Sequence, residues 1–561
     1  MPKVLALIVL TLAVWGSVCR PGLAASSSEA ADPNVAVGST EESAIPDDRT
    51  LEANGAVIGE ITLRVNDIFD LNNPKENNAL YRAANKLHIA TRESVVRGYL
   101  LFKSGDPYSR RLLDETERSL RNTQFLYDAF IVPVRYHDNI VDVEVITRDV
   151  WTLTGGVNYS LKGGETSSGF EIEDSNFLGY GHSFSLSHSV DEDRTSDLFR
   201  YDAPNVGGKH TNIIVTLGSN SDGDLYGLGY AKPFFSLDTS KSYGFNIEGE
   251  DYDESRFENG VAVADYHRTD RLFEVFLGYS DGLVNNRTIQ WTLGYTHAER
   301  LYSPNDKTRD PAEVPENDAE SFPWISMRYI EDYFIKTQRL SFFGRTEDLN
   351  LGDEILIKLG WSDHSISSGS PSDEVIYELS YSRGLLVGPD RYLLLNFDSE
   401  GRIASEHSEN VLNSGRIRYY EPHHTRQVFY TSLLVQNAHD LDDPNLIQLG
   451  GDTGMRGYPA HVQDGDRMFL LTVEQRFYHE RHFFEFFYAG GALFFDMGRA
   501  WDPDVGPGPN SGVLKDVGAG LRLTSSRAGK GKVLHIDAAY PLDGDDVDRT
   551  IQINISMESE F

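Results

Sequence analysis

The sequence predicts a mainly β protein: an antiparallel transmembrane β-barrel of about 16 strands, preceded by one small α+β domain. Three observations carry this prediction. Residues 151–561 contain many stretches of strict apolar–polar alternation and almost no helical pattern. Residues 56–150 instead switch between strand and helix periods. The first 24 residues have the layout of an export signal.

Lys3 precedes an apolar stretch from Val4 to Val14, and Gly22, Leu23 and Ala24 put small residues where a signal peptidase reads. Residues 1–24 are therefore expected to be a signal peptide, too short to anchor in a membrane. Gly16, Ser17, Val18 and Cys19 approach a lipoprotein box, but Val18 is too large beside the cut. Cleavage after Ala24 removes Lys3 and Arg20 and no acid, taking the net charge from −35 to −37. It also removes Cys19, the single cysteine, so the exported chain uses neither disulfides nor thiol chemistry. Residues 25–55 are rich in Ser, Ala, Glu and Asp, with Pro33 and Pro46. Too little apolar surface is present to offset ordering, so a disordered acidic linker is expected.

Within 56–150, Ile58 to Phe69 reads as a strand. Val95, Val96, Tyr99, Leu100 and Phe102 recur at helical spacing between Arg92 and Lys103. Gly105 and Pro107 break that helix, and Ser109 is placed to cap a second one with Leu112, Leu113, Thr116 and Leu120 on one face. Two strands follow, Tyr127 to Arg135 and Ile140 to Thr147. In the second, Val141, Val143 and Val145 form the face to be buried. The stretch Asp70 to Ala90 has room for an extra helix.

From Trp151 the period becomes two. Val375, Tyr377, Leu379 and Tyr381 oppose Glu378, Ser380 and Ser382. At the end, Ile551, Ile553, Ile555, Met557 and Phe561 oppose Gln552, Asn554, Ser556, Glu558 and Glu560. A soluble sandwich also alternates. The export signal, the dense aromatics near strand ends and the terminal Phe561 favour a membrane barrel. Short turns such as 230–235 alternate with long acidic stretches such as 303–321. At about 25 residues per strand with its connection, 411 residues hold about 16 strands. Whole-chain averages conceal this, because 51 basic against 86 acidic residues and a mean hydropathy of −0.39 describe a soluble-looking chain. The same charge balance excludes a nucleic-acid partner, which needs a basic face.

Several motifs narrow the family. Leu449-Gly-Gly-Asp-Thr-Gly-Met-Arg-Gly-Tyr-Pro459 is a glycine-rich loop. It is followed by Val473-Glu-Gln-Arg-Phe-Tyr478, Phe494-Phe-Asp-Met-Gly-Arg-Ala-Trp501, Asp516-Val-Gly-Ala-Gly-Leu-Arg522 and Asp537-Ala-Ala-Tyr-Pro-Leu542. Upstream lie Asp174-Ser-Asn-Phe-Leu-Gly-Tyr-Gly181, Tyr201-Asp-Ala-Pro204 and Tyr230-Ala-Lys-Pro233. Together these resemble the bacterial surface antigen barrel of the BamA/TamA-like outer-membrane assembly superfamily. The β-α-α-β-β order of 56–150, with Gly-x-Pro-Tyr between its helices, resembles that family's POTRA domain. An unrelated α+β domain is the alternative.

Alternation that points Val473, Gln475 and Phe477 at lipid points Glu474 into the lumen, and Asp496 likewise when Phe495 faces out. The resemblance implies that the loop folds into the lumen and that Arg456 pairs with wall acids matching Glu474 and Asp496. Gly457 would then allow close backbone approach, Tyr458 would pack on the wall, and Gly498 belongs to the same motif. On their own, Arg456 would be a loop-tip cation and Glu474 a solvated lumen residue. The surrounding motifs favour the lock. Ile553, Ile555, Met557 and Phe561 resemble the C-terminal signal for barrel insertion.

Other chemistry is weak. Gly278-Tyr-Ser-Asp-Gly282 fits a nucleophile elbow, but the flanking 273–277 and 288–295 read as strands, where an elbow needs a strand-to-helix turn. His479 and His482 lack the spacing of a zinc helix, and His423-His424 is an isolated pair. Acidic clusters at 440–443 and 543–546 read as solvated turns. No enzyme, cofactor or metal is expected. The resemblance implies a bacterial outer-membrane protein with its POTRA-like domain in the periplasm, assembling, inserting or translocating polypeptides. Its implied partners are unfolded or secreted client polypeptides, outer-membrane lipid or lipopolysaccharide, and periplasmic accessory proteins. One POTRA unit departs from the two to five usual in described members, which leaves clients and accessories open. The alternative is a transport or anchoring barrel for a small solute or lipid.

Overall fold

Helix α1 (Asp48–Ala53) is the first helix among the described residues, with the Asp47 carboxylate accepting from the Thr50 amide at 2.8 Å and Leu51 buried beneath it. The computed structural model describes residues 45–561 except 163–164, 192–193, 259–260, 364–372, 405–407, 424–425, 442–446, 480, 504–510, 530–532, 545–548 and 559–561. The expected signal peptide and most of the acidic linker therefore lie outside the described residues. In the part of 25–55 that is described, α1 replaces the expected disorder, because a capping carboxylate and one packed leucine suffice for a short helix.

Strand β1 (Val57–Asn66), helices α2 (Ala79–Leu87), α3 (Glu93–Gly98) and α4 (Arg110–Arg121), and strands β2 (Leu126–His137) and β3 (Ile140–Asp149) complete the small domain. Its sheet runs β1-β3-β2, with β1 parallel to β3 and β2 antiparallel. Val141, Val143 and Val145 fill the core as the alternation predicts, against Leu113, Leu120 and Ile131. Ser109 holds the N-cap position of α4 but makes no side-chain cap, and Glu52 from α1 accepts the Arg110 amide instead, at 2.8 Å. Helix α3 ends at Gly98, short of the predicted Lys103. There the backbone meets a barrel turn: a Cβ on Gly98 would lie 2.8 Å from the Gly208 Cα, and Asn205 donates to the Gly98 carbonyl at 3.0 Å.

From Leu153 to Glu558 the strands order into a closed antiparallel barrel of 20 strands among the described residues, not about 16. The expectation allowed about 25 residues per strand, but 411 residues over 20 strands give about 20 each. The early strands, such as Glu165–Asp174 and Ser183–Val190, are short, and so are their connections. Val275, Leu277 and Tyr279 pair with Tyr295, Leu293 and Trp291 on a common exposed face. Ile553, Ile555 and Met557 stand exposed on the last strand, Gln552–Glu558, and Phe561 is not described. No described helix is long and apolar enough to cross a membrane.

Among the described residues, the joint between the last strand and the first, Leu153–Lys162, shows a single ladder pair, Ile555 with Leu161. Every other neighbouring pair in the barrel shares seven or more. At the end nearer the small domain, residues 68–92 touch both sides of this seam. Arg527 donates to the Ile68 carbonyl at 2.6 Å and pairs with Glu76 at 3.0 Å on one side. On the other, Asn176 donates to Thr91 at 2.9 Å and the Arg92 amide to the Gly179 carbonyl at 3.1 Å.

Two segments enter the lumen. At the small-domain end, a hairpin of Phe334–Thr337 and Glu347–Asn350 carries Leu340 and Phe343 at its tip. They pack with Tyr392, Tyr420, Val428, Tyr478, Ala492 and Val533, which sit on six barrel strands. Side chains of six strands converge on one point only inside the barrel. At the opposite end, a long connection between Gln427–His439 and Arg467–Tyr478 carries the glycine-rich loop.

Candidate functional site

The loop is shaped by its own backbone before it meets the wall. The Met455 amide donates to the Gly450 carbonyl at 2.9 Å, the Gly451 amide to the Pro459 carbonyl at 2.9 Å, and the Gly450 amide to the Thr453 hydroxyl at 2.7 Å. Gly454 turns at φ +119°, where a side chain would be strained and a Cβ would meet Leu470 at 2.5 Å. This ring projects Arg456 sideways. Leu449, Met455 and Tyr458 pack into a cluster with Met468, Leu470, Ala500 and Leu514 on the wall.

Arg456 reaches two acids that neighbouring strands supply. Its Nε and Nη2 clasp the Asp496 carboxylate at 2.8 and 2.9 Å, and Nη1 donates to Glu474 Oε1 at 2.8 Å. The guanidinium lies 3.4 Å from the Phe494 ring centre, and Asp537 stands 3.7 Å from Nη1. Bidentate pairing and ring stacking are what arginine provides and lysine does not. Burial opposes the charge, but Asp496 and Glu474 outweigh it and hold the guanidinium protonated far above its ordinary range. Asn554 on the last strand donates to the Arg456 carbonyl at 2.7 Å, so the lock also grips the strand beside the seam.

Gly457 donates its amide to Asp516 at 3.0 Å, and a Cβ there would come within 2.6 Å of Asp516 Cβ. Tyr458 is buried, its hydroxyl bonded to the Lys515 carbonyl at 2.7 Å and to Asp543 at 2.9 Å. Gly498 lies beneath the loop: a Cβ would press on Leu449 and Met455, each at 3.2 Å. The structure thus brings together Arg456, Gly457, Tyr458, Glu474, Asp496 and Gly498. Ile553, Ile555 and Met557 lie apart from them on the outer face.

Sequence reasoning missed the partners across the wall. Arg476 joins Glu474 Oε2 at 2.8 Å, and Arg522 donates to Asp537 at 3.2 Å. Asp516, Asp537 and Asn554 occupy the inward parity of motifs that were visible, and that parity is the signal that could have found them. Beside the lock is a cavity of about 560 Å³ lined by Arg416, Arg418, Tyr430, Arg476, His535 and Glu558 among others. Its lining is charged, suited to polar backbone or water rather than to an apolar ligand.

Ser280 lies within the strand Val261–Val284, buried and hydrogen-bonded to Thr288 at 3.1 Å, so it is no nucleophile elbow. The turn falls later, at Asn285 and Asn286, both with positive φ. His482 is partly buried and bonds Glu485 at 3.1 Å and Ser526 at 2.6 Å. Among the described residues no group of three His, Cys, Asp or Glu is placed to hold a metal ion.

CdiB from Acinetobacter baumannii is similar at 13% identity and a TM-score of 0.45, covering 90% of this chain and 74% of its own. CdiB from Escherichia coli gives 13%, 0.47, 90% and 76%. BamA from Haemophilus ducreyi lacking POTRA domains 1–3 gives 16%, 0.37, 89% and 85%. No curated protein matches the sequence. The Omp85 superfamily domain matches residues 176–561, more than half of the chain and all of the lock. The chain belongs to the Omp85 superfamily of outer-membrane β-barrel proteins.

Proposed function

We propose that this barrel inserts polypeptides into the outer membrane or translocates them across it, opening at the seam between its first and last strands. The observation that carries the reading is the single ladder pair among the described residues, Ile555 with Leu161, set against seven or more at every other joint. A ladder so short costs little to open, and opening exposes strand edges that template an incoming strand. Plugging of the lumen from both ends by Leu340 and Arg456 favours this over free diffusion of a solute.

The small domain acts as a POTRA-like receiver in the periplasm. Its sheet has two edges, β1 and β2, and they differ. On β2, side chains of α4 already occupy the backbone: Arg121 donates to the Ala129 carbonyl at 2.7 Å, Arg110 to the Ile131 carbonyl at 3.1 Å, and Glu117 accepts the Ile131 amide at 2.7 Å. On β1 the backbone of Gly105 and Asp106 holds Ile58 in both directions at 2.9 Å, and beside Ile61 lies a groove of about 450 Å³ lined by Gly59, Glu60, Ile61, Leu100, Phe102 and Lys103. An extended client adds to β1 beyond Ile58, reading backbone more than sequence. Reconstitution into liposomes with an unfolded barrel client tests this. Client insertion is expected; flux of a small solute without insertion would favour a transport or anchoring barrel.

A further inference from the structure

Helix α2 carries apolar side chains that the described residues leave open. Its inner face is fully used: Tyr81 stacks on Phe69 at 4.1 Å, Asn85 bonds the Phe69 backbone in both directions at 2.8 and 3.2 Å, and His88 at its C-cap meets Asp149 at 2.9 Å. These three positions lie at i, i+4 and i+7, so they share one stripe. On a flanking stripe, about a third of a turn away at 100° per residue, Leu80 and Leu87 are 72% and 75% exposed, and Ile89 follows at 50%. Scattered exposed leucines are ordinary, but these join a neighbour. The Tyr81 hydroxyl bonds the Phe484 carbonyl in the barrel turn, and Phe484 is 83% exposed. Three residues on, exposed Phe487 begins the outward face that continues to Leu493 on the strand Phe487–Trp501. Tyr81 thus ties the helix to a turn that leads into the barrel's apolar belt.

Charge selects what covers it. In a chain of net charge −35, Ala79 to Arg92 contains Arg82, Lys86 and Arg92 and no carboxylate. A basic helix with leucines on one stripe lies in the interfacial plane of a bilayer, with cations toward anionic headgroups.

We propose that α2, with Ile89 and Phe484, is an interfacial foot that rests on a lipid surface carrying anionic headgroups, just beneath the seam. Contacts on both sides of the seam, through Arg527 and through Asn176, set the foot where the bilayer meets the weakest joint of the barrel. This rests on the chain being a membrane barrel, not on its handling of polypeptides. A protein that inserts no client would still present Leu87 to lipid.

Residues 25–561 contain no cysteine, so in that chain Leu87→Cys and, as a solvent reference, Arg49→Cys each accept one fluorophore. Both go, as the chain from residue 25 onward, into vesicles of phosphatidylethanolamine with phosphatidylglycerol. Nitroxide-labelled lipid is expected to quench the label at 87 several-fold more than at 49, and iodide several-fold less. Equal iodide quenching at the two sites would overturn the proposal. Protection at 87 from both quenchers would overturn it too, since protein rather than lipid would then cover the face. Reversing charge with Arg82→Glu and Lys86→Glu is expected to reduce the lipid quenching; unchanged quenching would remove anionic headgroups from the account.

Discussion

Arg476 donates from Nη1 to the Leu340 carbonyl at 3.1 Å. Its Nε holds Glu474 Oε2, and Arg456 holds Oε1 of the same carboxylate. One acid on the barrel wall therefore serves both the loop from one end and the hairpin tip from the other. The chain continues into the small domain, where Tyr127 donates to the Gly344 carbonyl at 2.9 Å and Arg121 pairs with Asp348 at 2.6 Å.

Replacing Arg476 by Met leaves the Leu340 carbonyl and one Glu474 oxygen without their partner inside the barrel. Removing one member of a buried pair costs about 3–5 kcal/mol. Amide exchange over residues 338–346 is expected to accelerate while the barrel strands stay protected. Unchanged exchange would show that apolar packing of Leu340 and Phe343 alone holds the tip.

Arg456→Ala strands Asp496, leaves Glu474 to Arg476 alone, and is expected to cost about 3–5 kcal/mol locally. The loop 450–459 should become cleavable by protease in the folded barrel, and client handling should fall. Combined with Arg476→Met, the costs should depart from additivity by about 0.5–3 kcal/mol, since both act on Glu474. Additive costs would mean that the two plugs are independent.

Arg121 is almost fully buried between Glu117 and Asp348. Arg121→Ala is expected to detach the hairpin from α4 at a cost of about 3–5 kcal/mol. Faster exchange at 334–350, with the β1-β3-β2 sheet intact, checks this. Slow exchange would shift the weight to Lys336, which pairs with Glu117 and Asp114.

His210 stacks on Phe235 at 3.7 Å in a turn facing the small domain. Burial, with nearby Lys232, pushes its pKa below the ordinary 6.5. A lowered histidine pKa favours the neutral ring in the folded state. Its contribution is therefore complete above pH 6.5 and is lost as pH falls from there toward the folded value. Thermal unfolding is expected to lose stability across that window in the wild type and to lose less in His210→Phe. Parallel profiles would contradict this.

Parity and motif made part of the site legible. Glu474 and Asp496 could be read because each sits opposite an outward Val473 or Phe495 beside a recognisable Arg-Gly-Tyr. Asp516, Asp537 and Asn554 share that inward parity on the next strands, but alternation tells which face a residue takes and not the register that sets it level with Arg456. The hairpin tip at Leu340 left no periodic trace: its packing comes from six strands distant in sequence. The strand number was misjudged where connections are short, and α3 was overextended because Gly98 answers to Gly208 rather than to its own helical period.

Opening at the seam is the central claim, and a disulfide across Ile555→Cys and Leu161→Cys tests it most directly. With the bond formed, client insertion into liposomes is predicted to stop, and reductant is predicted to restore it. Full insertion by the cross-linked barrel would contradict the account.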